Sequence, residues 1–193
     1  MRVAITGAAT GIGAEACKIF KARGDEVVAF DIKQPEHPID AYHAIDLSDL
    51  AAITKVAAGV EGRFDALLNI AGLPPDGDNA PLILAVNVWG LRKFTLELIG
   101  KLNEGASIVN MASAAGRRWR ENIDQVKSLL ALPEDVSLAE FCRHHDIDPV
   151  RAYDLSKESV IVWTMAQTEQ LLARGMRMNS ISPGGIATGI YEN

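Results

Sequence analysis

Short apolar runs alternate with longer helical patterns along the whole sequence, and this alternation restricts the fold more than any other feature. Runs rich in β-branched and apolar residues, typical of strands, are 2–6, 26–30, 42–45, 66–69, 107–111 and 177–181. Helical patterns occupy about 11–23, 48–59, 82–102 and 151–174. The order strand, helix, strand predicts a parallel, doubly wound sheet with right-handed crossovers. The predicted class is therefore a three-layer α/β fold.

The length of the chain indicates one domain. With 193 residues, 48% of them hydrophobic, the chain can bury one substantial core, so we expect a single domain over 1–193. The segment 117–150 is longer than an ordinary strand-to-helix connection and is predicted to be a helical insertion. Its apolar residues either line a substrate pocket or pack the insertion onto the domain; they are Trp119, Leu129, Leu130 and Phe141.

Charge and cysteine content exclude several classes of partner. The net charge of −6 argues against nucleic acid and anionic membranes, because both require a basic surface. The sequence has no secretory leader and no apolar run long enough to span a membrane, so we expect a cytoplasmic protein that binds small molecules. Cys17 and Cys142 lack the spacing of metal ligands, and the adjacent His144 and His145 point to different sides of an element. No metal site is predicted.

A glycine-rich loop separates the first predicted strand from the first predicted helix. It contains Gly7, Gly11 and Gly13, with Ile12 between the last two. Glycines permit a tight turn and close approach of a phosphate, and the N-terminus of the following helix carries partial positive charge. An ordinary tight turn would also explain such a triplet if it stood alone. In a Rossmann-like fold the loop predicts a dinucleotide site.

Asp31 supports a dinucleotide that lacks a 2′-phosphate. It ends the second predicted strand, where a carboxylate can accept hydrogen bonds from both hydroxyls of the adenosine ribose. The same charge repels a 2′-phosphate, which favours NAD over NADP, although Lys33 weakens that preference. A turn-favouring aspartate is the alternative interpretation. The joint placement of the loop and Asp31 favours NAD as cofactor.

Tyr153 and Lys157 lie four residues apart at the start of a predicted helix and hence on one face. A free tyrosine titrates at about 10, so a nearby ammonium is needed if its phenolate is to act as a base at neutral pH. Ser113 follows the fifth predicted strand, at the edge of the sheet where ligands bind. Asn87 is a poor helix former inside an apolar helix. Each observation also has a structural interpretation. The Tyr153–Lys157 pair could be a surface pair, Ser113 a loop serine and Asn87 a buried structural amide.

These motifs together resemble the short-chain dehydrogenase/reductase family. Thr6 to Gly13 reads Thr-Gly-Ala-Ala-Thr-Gly-Ile-Gly, similar to the family's Thr-Gly-x-x-x-Gly-Ile-Gly, and Tyr153 to Lys157 fits its Tyr-x-x-x-Lys. The resemblance covers nearly the whole chain in the family's order. It implies Tyr153 as the acid–base residue, Lys157 as its partner and a ligand of the nicotinamide ribose, and Ser113 as donor to the substrate oxygen. It also implies that Asn87 fixes a water in a proton relay.

The resemblance implies further cofactor contacts. The family's adenine-contacting pair corresponds to Asp46 and Leu47, its Asn-Asn-Ala-Gly element to Asn69, Ala71 and Gly72 with Ile70 as a departure, and its Pro-Gly segment to Pro183, Gly184, Ile186 and Thr188. With the loop residues and the Tyr153–Lys157 pair, these form the predicted NAD site.

The insertion of 117–150 and the separation of 40 residues between Ser113 and Tyr153 resemble the bacterial coniferyl-alcohol dehydrogenase and 3α-hydroxysteroid dehydrogenase subgroup. The predicted function is hydride transfer between NAD(H) and a secondary or allylic alcohol or ketone; a non-catalytic NAD-binding module is the alternative. Helices 82–102 and 151–174 are apolar on more than one stripe, which predicts a homodimer. Family members continue through a further helix and a seventh strand, so we expect the C-terminal strand to lie beyond Asn193.

Overall fold

The computed structural model describes residues 1–75 and 77–185. Its strands are β1 (Arg2–Thr6), β2 (Glu26–Asp31), β3 (Ala41–Ala44), β4 (Phe64–Asn69), β5 (Leu102–Met111) and β6 (Arg177–Ile181). Its α-helices are α1 (Gly11–Ala22), α2 (Leu50–Gly59), α3 (Ala80–Leu84), α4 (Leu91–Leu98), α5 (Ile123–Ala131), α6 (Leu138–His144) and α7 (Pro149–Leu172). A π-helical segment, Ala85–Gly90, joins α3 to α4, and two short 3₁₀ segments cover Ile99–Lys101 and Ala114–Arg118.

The six described strands form one parallel sheet in the order β3-β2-β1-β4-β5-β6. Thr6 pairs with Asn69, Asn69 with Asn110, and Asn110 with Ser180, so the carboxyl ends of four neighbouring strands meet at one edge. The chain order reverses between β1 and β4, which is where a doubly wound sheet opens a crevice for a ligand. The predicted fold class is confirmed.

Helices cover both faces of the sheet because alternate strand residues are apolar on opposite sides. On one face, Val3 and Ile5 of β1 pack in a cluster with Cys17 of α1. On the other face, Ala4 packs with residues of α2, α4 and α7, such as Phe94 and Val160. The chain thus places the start of α1 and the start of α7 at the same edge of the sheet.

The predicted helix 82–102 is wrong as a continuous element. The structure has α3, the π-helical segment Ala85–Gly90, α4 and a 3₁₀ turn, and Leu102 already belongs to β5. A π segment widens a helix locally and often lies at functional sites. Here it includes Asn87, whose side chain bonds the neighbouring loop, and Gly90, where a Cβ would lie 2.1 Å from the Leu47 carbonyl oxygen.

The segment 117–150 contains α5 and α6, which pack with α3 and α7 around a cluster that includes Leu129 and Phe141. Helix α7 begins at Pro149, two residues before the predicted start. Asp148 caps it by accepting the Arg151 amide at 2.6 Å, and proline fits the first helical position because its missing N–H has no partner there. The cap defines where the helix that carries Tyr153 and Lys157 begins.

Candidate functional site

The glycine loop brings the start of α1 against the ends of β1 and β4. Gly7 and Gly11 have φ of +68° and +54°, a conformation that glycine adopts without strain. A Cβ on Gly13 would lie 1.9 Å from the Gly7 carbonyl oxygen, so only glycine allows α1 to approach the loop this closely. Thr6 Oγ1 accepts the amides of Ile70 and Ala71 at 3.0 and 3.2 Å. These contacts fix the helix N-terminus beside the loop after β4.

A cavity of about 440 Å³ opens at this edge of the sheet. It is lined by Gly7, Thr10, Gly11, Ile12, Ile70, Ala71, Gly72, Leu73, Pro74, Met111, Ala112, Ser113, Tyr153, Lys157, Pro183 and Gly184. Ten residues of the predicted site therefore meet in one place, although they come from five separate stretches of the sequence. Sequence reasoning missed Thr10, Ile70, Leu73, Pro74, Met111 and Ala112 as lining residues; most of them directly flank a predicted motif.

Tyr153 and Lys157 lie on the cavity side of α7. The Lys157 ammonium is 5.6 Å from the centre of the Tyr153 ring and donates to the Met111 carbonyl oxygen at 3.0 Å. Only 4% of Lys157 is exposed, and this burial lowers the pKa of its ammonium to about 8 because the charged form loses its hydration. A charge held in this way next to the phenol favours the phenolate over the phenol.

Ser113 leaves the sheet where β5 ends. Its Oγ accepts the Ala115 amide at 3.2 Å and caps the 3₁₀ segment Ala114–Arg118. Because that bond uses a lone pair of the hydroxyl, the O–H hydrogen remains available for donation to a ligand oxygen. The Ala114 amide donates to the Pro183 carbonyl oxygen at 2.8 Å, which ties this turn to the Pro183–Gly184 segment. Ser113, Pro183 and Gly184 therefore line the same cavity.

Asn87 is buried and holds the loop after β4. Its Oδ1 accepts the Leu73 amide at 2.7 Å, and its Nδ2 donates to the Leu73 carbonyl at 3.0 Å and to Ser156 Oγ at 3.1 Å. A Cβ on Gly72 would lie 3.1 Å from Asn87 Oδ1 and 3.4 Å from the Lys157 nitrogen. Asn87 therefore lies next to Lys157, behind the cavity wall, and its described bonds hold protein groups in place.

The predicted adenosine contacts Asp31 and Asp46 lie outside the cavity lining, and Asp31 contacts the glycine loop. Asp31 accepts the amides of Ala9 and Lys33 at 2.9 and 3.0 Å, which fixes its carboxylate beside the loop. Asp46 is exposed, and its Oδ1 accepts both the amide and the hydroxyl of Ser48. These bonds leave further lone pairs on each carboxylate for ribose or adenine donors.

Three residues predicted to contact the cofactor pack within the protein and do not line the cavity. Leu47 is 6% exposed and its side chain belongs to the core, Gly13 packs beneath the loop, and the Asn69 amide donates to Thr95 and Asn110 at 2.8 Å each. The Leu47 and Asn69 side chains contact protein groups, and Gly13 contributes only its close backbone packing. Ile186 and Thr188 lie outside the described residues.

His37 is a residue near the site that no sequence motif indicated. Its Nε2 lies 2.9 Å from the Ala8 carbonyl oxygen, so the segment between β2 and β3 supports the glycine loop. Within residues 1–75 and 77–185, no group of three or more histidine, cysteine or carboxylate side chains could hold a metal ion. No helix in those ranges is both long and apolar enough to cross a membrane.

The insertion's apolar residues do not reach the cavity described above. Leu129 and Phe141 are buried among α3, α5, α6 and α7, and the Arg120 guanidinium lies 4.1 Å from the Trp119 ring centre. Leu130 is partly buried against the same clusters. Packing of the insertion onto the domain is therefore the interpretation that the described contacts favour for these side chains.

Burial of the Lys157 ammonium should make the free energy of unfolding depend on pH. Its pKa is about 8 when folded and 10.5 in its ordinary state, so between these values the unfolded chain binds more protons than the folded one. The free energy of unfolding therefore rises with pH across that interval. We expect the unmodified protein to gain stability relative to Lys157→Met from pH 8 to 10.5. Urea unfolding of both proteins without cofactor measures this difference, and a difference that stays constant would contradict it.

Comparison with known proteins places the chain in a family. Residues 1–123 match the family described as short chain dehydrogenase. A coniferyl-alcohol dehydrogenase from Pseudomonas sp. (strain HR199) is 31% identical over 192 residues, which cover 99% of this chain and 75% of that protein. A 3-alpha-hydroxysteroid dehydrogenase/carbonyl reductase from Comamonas testosteroni is 26% identical over 193 residues, 98% of this chain and 74% of that protein. The chain belongs to the short-chain dehydrogenase family.

A solved structure agrees with this assignment. The 3-alpha-hydroxysteroid dehydrogenase from Pseudomonas sp. B-0831, crystallised with NADH, matches with a TM-score of 0.85 and 26% identity, covering 100% of this chain and 75% of that one. These similarities confirm the predicted family and fold, and the prediction of an oxidoreductase that acts on CH–OH groups with NAD as its cofactor.

Proposed function

We propose that this chain interconverts a bulky secondary or allylic alcohol and its carbonyl compound, with Tyr153 as the acid–base residue. One observation carries the proposal: the glycine loop, Ser113, Tyr153 and Lys157 line the same cavity. A dinucleotide-binding module without turnover has no chemical need for the last three residues beside its loop. The catalytic interpretation is therefore preferred to the non-catalytic alternative.

The residues present fit a bound dinucleotide. The turn made by Gly7 and Gly11 and the N-terminus of α1 suit a pyrophosphate, and the fixed carboxylate of Asp31 suits a ribose with a free 2′-hydroxyl. The Lys157 ammonium has three donors, and Met111 is the acceptor described above, which leaves donors for the nicotinamide ribose. When bound, the nicotinamide accepts the hydride from the alcohol or returns it to the carbonyl compound.

Each polar residue then has a defined task. Tyr153 removes the hydroxyl proton of the alcohol during oxidation and returns a proton during reduction. Ser113 donates its O–H hydrogen to the substrate oxygen and holds it near the phenol. Lys157 stabilises the phenolate through its charge, and Asn87 holds the Leu73 backbone and Ser156 behind it. A relay water at Asn87, implied by the family resemblance, belongs to this proposal.

The substrate class follows from the rest of the lining and from the relatives. Ile70, Leu73, Pro74 and Met111 give the cavity apolar walls. The relatives' names refer to coniferyl alcohol and 3α-hydroxysteroids, in which the hydroxyl is carried by an aromatic or polycyclic carbon skeleton. Such a substrate matches a cavity in which a few polar groups at one end orient an apolar ligand.

The domain organisation, cellular location and oligomeric state are a separate part of the proposal. We propose one catalytic domain with the insertion 117–150, acting as a cytoplasmic homodimer. Leu96 on α4 and Met165 and Leu172 on α7 expose apolar side chains that a second copy would cover in such a dimer. Light scattering that found a monomer at micromolar concentration would contradict the dimer.

A panel of alcohols tests the proposed activity. The protein is mixed with NAD⁺ or NADP⁺ and with hydroxysteroids, aromatic allylic alcohols or small secondary alcohols, and NADH absorbance is recorded. We expect turnover of at least one bulky alcohol with NAD⁺, and slower turnover with NADP⁺ because Asp31 repels the 2′-phosphate. NADH binding without turnover of any alcohol would instead support the non-catalytic module.

A further inference from the structure

A buried carboxylate lies on the catalytic helix and takes no part in the chemistry proposed above. Glu158 directly follows Lys157 in α7, and its side chain is only 1% exposed. Its Oε2 forms an ion pair with Arg151 Nη2 at 2.7 Å. Glu158 does not line the cavity of about 440 Å³. Burial of a charge without a partner is unfavourable, so the role of the Glu158 carboxylate is inferred from the groups that bind it.

The insertion completes this ion pair. Asn122, the N-cap residue of α5, donates from Nδ2 to Glu158 Oε1 at 2.6 Å. Gln125, in the first turn of α5, accepts from Arg151 Nε at 2.8 Å. Arg151 and Glu158 therefore each have one partner on α7 and one on the insertion. We call these four residues, Asn122, Gln125, Arg151 and Glu158, the clamp.

The ion pair of the clamp spans the turns of α7 that carry Tyr153 and Lys157, on the other face of the helix. Tyr153 and Lys157 lie between Arg151 and Glu158 in the sequence. The segment after Ser113 meets the same turns, since a Cβ on Gly116 would lie 2.9 Å from the Lys157 carbonyl carbon and oxygen. The insertion and the Ser113 turn therefore both contact the part of α7 that carries the catalytic pair.

We propose that the clamp is a positioning network through which the insertion holds Tyr153 and Lys157 in register with Ser113. Glu158 and Arg151 act through the helix, without contact with substrate or cofactor. The insertion is then part of the catalytic scaffold, in addition to any contact with substrate elsewhere. This inference rests on the proposed function, because it assigns the network to the same catalytic residues.

A double-mutant cycle tests the clamp. Glu158→Gln and Arg151→Gln each leave one charge without its partner, whereas the double variant places two amides that can bond each other. We expect each single variant to lower kcat by about tenfold, and the double variant to recover about tenfold relative to the product of the two losses. The Kd for NADH should change by less than about threefold, since most cofactor contacts lie at the glycine loop.

A matched control uses the exposed pair Arg118–Glu121 in the same segment. Its atoms are 2.7 Å apart, but its side chains are 61% and 62% exposed, so its coupling is screened by water. Arg118→Gln, Glu121→Gln and their combination should leave kcat unchanged with no coupling. Equal coupling in the control and in the clamp would overturn the specific role of Glu158.

Two further measurements test the clamp if the charge variants do not fold or if the protein shows no turnover. If the charge variants do not fold, Asn122→Ala and Gln125→Ala remove the insertion's half of the clamp without stranding a charge, and both should lower kcat. Hydrogen exchange of 150–160 should quicken in the single variants and recover in the double variant. Hydrogen exchange measures the effect of the clamp on α7 even if the unmodified protein turns over no alcohol. Absence of turnover would refute only the proposed function. Unchanged kcat and unchanged exchange in all these variants would overturn the clamp.

Discussion

Replacement of Tyr153 by phenylalanine is expected to lower kcat/KM for alcohol oxidation by about 10²–10⁴-fold while NADH still binds. Phenylalanine keeps the ring, whose centre is 5.6 Å from the Lys157 ammonium, and removes only the hydroxyl that we propose exchanges the proton. The loss should therefore lie in kcat, because the cavity walls and the glycine loop are unchanged. Steady-state kinetics with a turned-over alcohol give kcat, and NADH fluorescence gives the Kd.

Tyr42→Phe provides the matched control for that substitution. The Tyr42 hydroxyl donates to the carbonyl oxygens of Asp31 and Ile32, at the end of β2 and away from Ser113 and Lys157. We expect kcat at saturating NAD⁺ to be unchanged in this variant. If Tyr153→Phe also retained the original kcat, the assignment of Tyr153 as acid–base residue would be wrong, and another group in the cavity would have to move the proton.

The second large effect is expected at Gly13. A Cβ at this position would lie 1.9 Å from the Gly7 carbonyl oxygen and 2.7 Å from the Gly7 carbonyl carbon, so Gly13→Ala forces the loop away from α1. Both atoms belong to the backbone, which cannot yield by a rotamer change. We expect a loss of stability of about 1–3 kcal/mol and a rise in the Kd for NADH of at least about tenfold. Chemical denaturation and NADH fluorescence measure the two effects.

Gly59→Ala is the control for an added methyl group. Gly59 ends α2, and a Cβ there would meet no heavy atom within 4 Å. Alanine in this helix should leave the Kd for NADH unchanged and the stability equal or slightly higher. Normal NADH affinity in Gly13→Ala would mean that the loop does not hold the pyrophosphate, which would remove the basis for the proposed cofactor site.

The parts of the structure that depend on local sequence were the most predictable. The positions of the strands were predicted from apolar, β-branched runs. The glycine loop was predicted from Gly7, Gly11 and Gly13, because glycine permits the tight turn and the close packing there. The family resemblance added the order of the later motifs. The structure places Ser113 and Tyr153 in one cavity, although they are 40 positions apart in the sequence.

Features that depend on tertiary contacts were not predictable in the same way. The 82–102 pattern is helical by periodicity, but the bonds of Asn87 to Leu73 and the contact of Gly90 with Leu47 accompany its division into three helical types. The inward direction of the Asn69 amide depends on Thr95 and Asn110, which no spacing rule connects. Arg151 and Glu158 are seven residues apart, and their partners in the insertion are visible only when the chain is folded.

Transfer of deuterium tests the central claim most directly. An alcohol that the protein oxidises, labelled with deuterium at the carbinol carbon, is incubated with NAD⁺ and the protein, and the NADH formed is analysed by mass spectrometry. Direct hydride transfer in the cavity predicts NADH that carries one deuterium in the nicotinamide ring, with Tyr153→Phe forming almost none. Unlabelled NADH, or labelled NADH formed at the same rate by Tyr153→Phe, would contradict the account.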